Sequence, residues 1–154
     1  MAKGWRSNKS ANMRIKDVLK ALPEDAAKGA HEALGQNGAE AVRIIKGDAP
    51  RDDGLLQDSI DWTFGDPPDG VMGRKDYVQS VPDDLRLSVF AGGKKAPHAH
   101  LVHNGTARRE TEDGADRGIM PAQPFFWPNI RSLRRRFKSR VSRKANKAIR
   151  DSVK

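Results

Sequence analysis

The spacing of apolar residues changes at Pro50, and this change limits the folds that the chain can adopt. Before it, residues 24–46 place Ala, Leu or Ile at intervals of three or four positions. After it, residues 59–64 and 85–91 alternate polar and apolar side chains. The first spacing is that of a helix face and the second that of a strand face. We therefore predict one long helix followed by antiparallel strands.

Further segments complete the predicted order of elements. Residues 12–22 have helical spacing, residues 77–78 are compatible with a short strand, and residues 98–103 are predicted as a strand. The last helix carries an apolar stripe formed by Ile130, Leu133, Phe137, Val141, Ala145, Ala148 and Ile149. The predicted fold class is α+β, with N-terminal helices, a small antiparallel sheet of three to four strands, and a long basic C-terminal helix packed on the sheet.

Two glycines, Gly35 and Gly38, lie inside the predicted first long helix. Each glycine lowers the stability of a helix interior by up to ~1 kcal/mol relative to Ala. Their presence indicates either that another element packs closely against this part of the helix or that the helix bends there.

The domain organisation follows from length and composition. The chain has 154 residues, 36% hydrophobic and 32% charged, which indicates one domain with a modest core. We expect residues 1–11 to be a disordered basic arm and residues 12–154 to form a single domain. Loops at about 65–83 and 104–120 are poor in apolar residues and are predicted to be mobile.

The absence of cysteine excludes disulfides and thiolate zinc sites. No apolar run approaches the ~20 residues that a bilayer span needs. The basic N-terminus also lacks the apolar segment of a signal peptide. We therefore expect a soluble intracellular protein.

The net charge of +9 is concentrated at one end of the chain. Residues 131–154 contain eleven Lys or Arg and one acid, whereas residues 1–130 contain 18 basic and 19 acidic residues. Such a block is either a solvated helix face or a surface that binds a polyanion or an acidic protein. The predicted contacts with DNA or an acidic surface are Arg131, Arg134, Arg135, Arg136, Lys138, Arg140, Arg143, Lys144, Lys147 and Arg150.

One hypothesis is a sequence-nonspecific duplex-DNA-binding protein that acts through this basic helix. Only Phe137 is aromatic within residues 131–154, so stacking of single-stranded bases is not expected. Contacts to duplex phosphates remain compatible with the sequence, and such contacts weaken steeply with salt.

Enzymatic motifs are missing from the sequence. It has no Gly-rich phosphate loop, no nucleophile elbow and no Cys nucleophile. Three acids, Asp48, Asp52 and Asp53, precede Gly54 and are better explained by turns in which Asp side chains bind nearby amides than by a cation site. We expect no catalytic residue and no cofactor.

Three histidines, His98, His100 and His103, raise the question of a metal site. On the predicted strand, His98 and His100 share one face while His103 points to the other. No acid lies within this segment to complete a ligand shell. We therefore favour strand histidines near a subunit contact over metal ligands.

Turns and aromatic residues supply the remaining candidate positions. Pro50, Gly54, Gly105 and Pro124 are predicted to be structural turn residues, since Pro fixes φ and Gly adopts conformations that other residues avoid. The rings of residues 125–127 cannot all point into one small core, so at least one is expected to face a neighbouring subunit. The predicted subunit-interface residues are Phe125, Phe126, Trp127, His98 and His103.

Three stretches carry a family resemblance. They are APRDDGLLQDSI (residues 49–60), HAHLVHNGT (98–106) and MPAQPFFWPNI (120–130). In order and spacing they resemble the tail-completion, or head–tail joining, proteins of long-tailed bacteriophages, to which the minor tail protein Z of phage lambda is similar. The resemblance covers roughly residues 24–150. Where that family commonly has Tyr and Glu in the second stretch, this chain has His98 and His103.

The resemblance implies a non-enzymatic virion protein of the phage neck. It implies a homo-oligomeric ring, with six copies in the family, that completes the upper end of the tail and joins it to the head connector. The implied partners are connector and stopper proteins, the tail terminator, the tail tube protein and genome DNA in the axial channel. Assembly would take place in the bacterial host cytoplasm. Tail completion, tail termination and head closure all stay open at this point.

Overall fold

Helices dominate the computed structural model, which describes residues 24–73, 82–110 and 112–152. The predicted helix at 12–22, the predicted strand at 77–78 and the N-terminal arm lie outside these residues. A short 3₁₀ helix precedes the last strand. The elements in chain order are α1 (Glu24–Asp48), α2 (Leu55–Asp58), β1 (Asp61–Phe64), β2 (Val71–Met72), the 3₁₀ helix (Asp83–Leu85), β3 (Leu87–Gly92), α3 (Ala99–Asn104) and α4 (Trp127–Ser152). The predicted α+β class is confirmed.

The described strands form an antiparallel sheet in the order β1-β3-β2, with β3 at the centre. Trp62 pairs with Val89, and Phe64 pairs with Leu87. Because side chains two residues apart share a face, Trp62 and Phe64 point to the same side. That side faces α1, as the alternation of apolar residues in these strands requires.

Close packing against the sheet explains the two glycines inside α1. A Cβ atom added to Gly38 would lie 2.4 Å from Cδ2 of Trp62, and one added to Gly35 would lie 3.7 Å from the same indole ring. The helix is continuous from residue 24 to residue 48. Of the two explanations offered by the sequence, close approach of another element is therefore the one that the structure shows.

Helices α1 and α4 run antiparallel along their lengths. Near the start of α1, a Cβ on Gly29 would lie 3.1 Å from the carbonyl oxygen of Lys144. Near its end, Asn129 Nδ2 donates to Asp48 Oδ2 at 2.7 Å. The main partner of α4 is therefore α1, and α1 in turn lies against the sheet.

A polar contact lies within this helix pair. Asn37 is buried on α1; its Nδ2 donates to the carbonyl oxygen of Phe137, and its Oδ1 accepts from Arg140 Nη1 at 2.6 Å. The guanidinium of Arg140 also donates to Glu40 Oε2 at 2.6 Å. Both ends of the buried amide are thereby satisfied, as burial of a polar group requires.

The hydrophobic core lies where α1, the sheet, α3 and the start of α4 meet. Its most completely buried large side chains are Ile45, Ile60 and Phe126. Around them lie mainly small residues, which lets the elements approach closely. The buried cluster consists of Ala41, Ile45, Ala49, Leu56, Ile60, Ala91, Ala96, Ala99, Phe125, Phe126 and Leu133.

Candidate assembly interface

The first of the three family-like stretches forms a turn and a short helix. Gly54 has φ +86° and precedes α2, and the carboxylate of Asp53 accepts a hydrogen bond from the amide of Leu55 at 2.9 Å. Leu56 and Ile60 then point into the core. This stretch thus joins α1 to β1 and fixes both to the interior.

The second stretch is a helix, so the strand predicted for residues 98–103 is wrong. Ala99 and His103, four residues apart, are buried on one face of α3, while His98 and His100 are exposed. A six-residue segment has too few side chains for its period to distinguish a strand from a helix. Within the described parts of the chain, no group of three or more His, Cys, Asp or Glu side chains could hold a metal ion.

His103 lies inside the chain and not on its surface. Its side chain is buried, and Nδ1 accepts a hydrogen bond from the amide of Phe126 at 3.3 Å. The ring meets the Phe125 ring edge-on, with centroids 5.5 Å apart. Burial lowers the pKa of His103, and the positive charge of Arg131 lowers it further. Together these contacts favour the neutral imidazole.

We predict that the stability of the fold decreases in mildly acidic solution because of His103. The folded chain holds the pKa of His103 below its ordinary value of 6.5, so the unfolded chain binds a proton more readily. The stabilisation is therefore present above pH 6.5 and is lost as the pH falls towards the lowered value. Urea unfolding at neutral and at mildly acidic pH measures it.

The matched control for this prediction is His103→Asn. The Asn side-chain oxygen can accept the same hydrogen bond from Phe126 but does not titrate. The variant should therefore lose part of the pH dependence that the natural chain shows. Identical pH dependence in both proteins would show that His103 is not the titrating group.

The third stretch fastens the start of α4 to α3. The amide of Gln123 donates to the carbonyl of Val102 at 2.9 Å. Phe125 and Phe126 lie in the core, and Trp127 meets Phe126 edge-on while staying partly exposed. Phe125 and Phe126 thus enter the core, while Trp127, the first residue of α4, packs against it from a half-buried position.

These positions bear on the predicted subunit interface. Phe125, Phe126 and His103 are buried within this chain, where they support its own fold. His98 is exposed and Trp127 is half-buried, so these two of the five predicted residues offer surface to a neighbour. The turn residues Gly105 and Pro124, by contrast, flank a segment whose described residues are mostly exposed.

Residues 106–120 of that segment are here called the arm. Gly105 has φ +75°. A Cβ atom there would lie 2.7 Å from the amide nitrogen of Ala122, so the backbone entering the arm and the backbone leaving it approach closely at its base. Antiparallel bridges join Thr106 to Met120 and Glu110 to Asp116. The arm therefore has a ladder, although its mobility stays a prediction.

An ion pair reinforces the ladder of the arm. Arg108 Nε donates to Asp116 Oδ2 at 3.1 Å, and the amide of Gly118 donates to Asp116 Oδ1 at 2.8 Å. The hydrogen bond from Arg108, followed by that from Gly118, lowers the pKa of Asp116. Ile119, next to Met120 at the base of the arm, is 68% exposed.

Part of the positive charge on α4 is neutralised inside the chain. Arg136 and Arg140 pair with Glu40, and Lys144 pairs with Glu32 at 3.4 Å. These contacts join α4 to α1 and leave fewer cations for a partner than the sequence suggested. Among the residues that the structure describes, the cations of α4 without an ion pair are Arg131, Arg134, Arg135, Lys138, Arg143, Lys147 and Arg150.

Four of these cations share one side of the first turns of α4. Arg131, Arg134, Arg135 and Lys138 are three or four residues apart and all exposed, so they form one continuous patch on the helix surface. We call this patch the basic face.

Within the described ranges, no helix is both long and apolar enough to span a bilayer.

Comparison with known proteins gives one match. The HK97-gp10-like family, described as "Bacteriophage HK97-gp10, putative tail-component", matches residues 14–105. The match spans more than half of the chain and includes α1, the sheet and α3, but ends before the arm and α4. No curated protein and no solved structure matches the chain. The chain therefore belongs to the HK97-gp10-like family of bacteriophage tail components.

Proposed function

We propose that this tail component is a non-enzymatic structural protein of the phage neck. It completes the upper end of the tail and joins the tail to the head connector as a hexameric ring. Membership of a tail-component family supports the virion role. The three family-like stretches, which meet around one core, support the more specific resemblance to tail-completion proteins.

The observation that carries this proposal is the set of seven outward cations on α4. A structural protein works through surfaces that bind its neighbours, and here most of the helix charge is available for that purpose. Its partners in this role are further copies of itself, connector and stopper proteins, the tail terminator and the tail tube protein. His98 and Trp127 add partly apolar contact surface to the charged one.

A joining assay with isolated virion parts tests the proposal. Particles made without this protein should yield filled heads and separate tails, and adding the purified protein should restore joined virions that electron microscopy can count. Imaging of the joined particles should place the protein in the neck. Normal yields of joined virions in its absence, or its placement at the distal end of the tail, would contradict the proposal.

The same cations favour a second candidate function, sequence-nonspecific binding of duplex DNA. In the neck this would bring α4 against genome phosphates in the axial channel. If all seven cations contacted phosphates, log K would fall with log salt concentration with a slope of about −6. A chain that shifts duplex DNA with this salt dependence, stays monomeric and does not restore joining would favour this candidate over the first.

A further inference from the structure

The basic face of α4 has no partner within the described residues. Its four cations, Arg131, Arg134, Arg135 and Lys138, are exposed. Of the α1 acids in contact with α4, Asp48 accepts a hydrogen bond from Asn129 and the other two form ion pairs with other cations of the helix. Glu40 binds Arg136 and Arg140, and Glu32 binds Lys144. Four like charges this close repel one another, so an acidic partner would relieve the repulsion.

The tip of the arm has the complementary charge. Glu110, Glu112 and Asp113 are exposed and form no ion pair among the described residues. Arg108 is paired with Asp116, while Arg109 and Arg117 beside the tip are exposed and form no ion pair with the described residues. The unpaired charges at this end of the arm therefore leave a small negative excess, on a chain whose net charge is +9.

Geometry keeps the tip available to another molecule. At about 3.3 Å per residue, the paired stretch from Thr106 to Glu110 places the tip roughly 13 Å from the base of the arm. The close crossing at Gly105 and the Arg108–Asp116 pair hold the base and the ladder in place. No ion pair links the described tip acids to α4 of the same chain.

We propose that the basic face of one copy binds the arm tip of a second copy. This inference rests on the proposed ring. Each copy gives one arm and receives one, and such a head-to-tail contact closes into a ring when the rotation between copies allows it. The attraction is electrostatic, so association should weaken as salt concentration rises.

Charge reversal tests this contact with the full-length chain. We expect Glu112→Arg with Asp113→Arg to weaken association by about tenfold or more, as measured by sedimentation velocity. Arg134→Glu with Arg135→Glu should weaken it similarly. A chain that carries both pairs of changes should regain most of the lost affinity, because each reversed tip then meets a reversed face.

Matched controls separate this contact from a general charge effect. Lys94→Glu with Lys95→Glu makes the same charge change at exposed cations outside α4, and Asp52→Arg with Asp58→Arg does so at exposed acids away from the arm. Both should leave association within about threefold of the natural chain. Circular dichroism and thermal unfolding confirm that every variant is folded.

The outcomes distinguish this inference from the proposed function. If the natural chain assembles and tip reversal leaves assembly unchanged, the arm contact is wrong while the ring stands. If face reversal abolishes binding to duplex DNA but not assembly, the basic face serves DNA and the inference is also wrong. If the natural chain is monomeric at every concentration and does not restore joining, the ring itself is contradicted.

Discussion

Phe126→Ala should lower the free energy of unfolding by about 3–5 kcal/mol, the range found when a buried Phe is reduced to Ala. Phe126 is 1% exposed and is the largest fully buried side chain of the described residues. Its removal leaves a cavity where all three family-like stretches meet. It also loosens the segment whose amide binds His103. Urea unfolding followed by circular dichroism measures the change.

Trp127→Ala is the matched comparison for Phe126→Ala. The Trp127 side chain is half-buried and adjacent in sequence, so its removal should lower folding stability less. If Trp127 faces a neighbouring subunit, assembly should suffer more in this variant than folding does. A Phe126→Ala chain that folds as stably as the natural one but fails to assemble would show that Phe126 faces a neighbour instead.

Gly38→Ala should also destabilise the fold, although Ala favours helices by up to about 1 kcal/mol over Gly. The new Cβ would lie within 2.8 Å of three atoms of the Trp62 indole. Relieving this overlap requires the strand or the helix to move, and overpacking of this kind typically lowers stability by about 1–3 kcal/mol. Chemical unfolding monitored by tryptophan fluorescence measures the loss.

Two other glycines of α1 provide controls for Gly38→Ala. Gly35→Ala meets the same indole at 3.7 Å, an ordinary contact, and Gly47→Ala meets nothing within 4 Å. Both substitutions should be neutral or stabilising. Combining Gly38→Ala with Trp62→Leu should recover part of the loss, since the smaller side chain leaves room. Equal effects of all three Gly→Ala changes would rule out the proposed overlap.

Much of the fold could be predicted from the sequence where segments are long enough to show a period. The helix at residues 24–48, the strand at 61–64 and the helix at 127–152 all follow from apolar spacing. The helix at 99–104 could not be predicted in this way. It has only six residues, and its buried face includes His103, a polar residue whose burial the sequence pattern does not predict.

The candidate interface was less predictable because it depends on long-range contacts. Composition identified the cations of α4, but not that Arg136, Arg140 and Lys144 are bound by acids about a hundred residues earlier. Only the antiparallel pairing of α1 with α4 brings these groups together. The roles of Glu32 and Glu40 were missed for that reason, since neither carries a local signal in the sequence.

The buried amide of Asn37 fixes the position of α4 along the length of α1. Shifting α4 by one helical turn, about 5.4 Å, would separate this amide from Arg140 and from the Phe137 carbonyl. An interior amide without a hydrogen-bond partner lowers the stability of the fold by about 1–3 kcal/mol, and a guanidinium left without its partner lowers it by more. Two helices that met only through small apolar residues could align at several positions along their lengths. The contacts of Asn37 select one of these positions. In the proposed ring, every copy would then display its outward cations at the same height, and an interior side chain would control the spacing of the subunits.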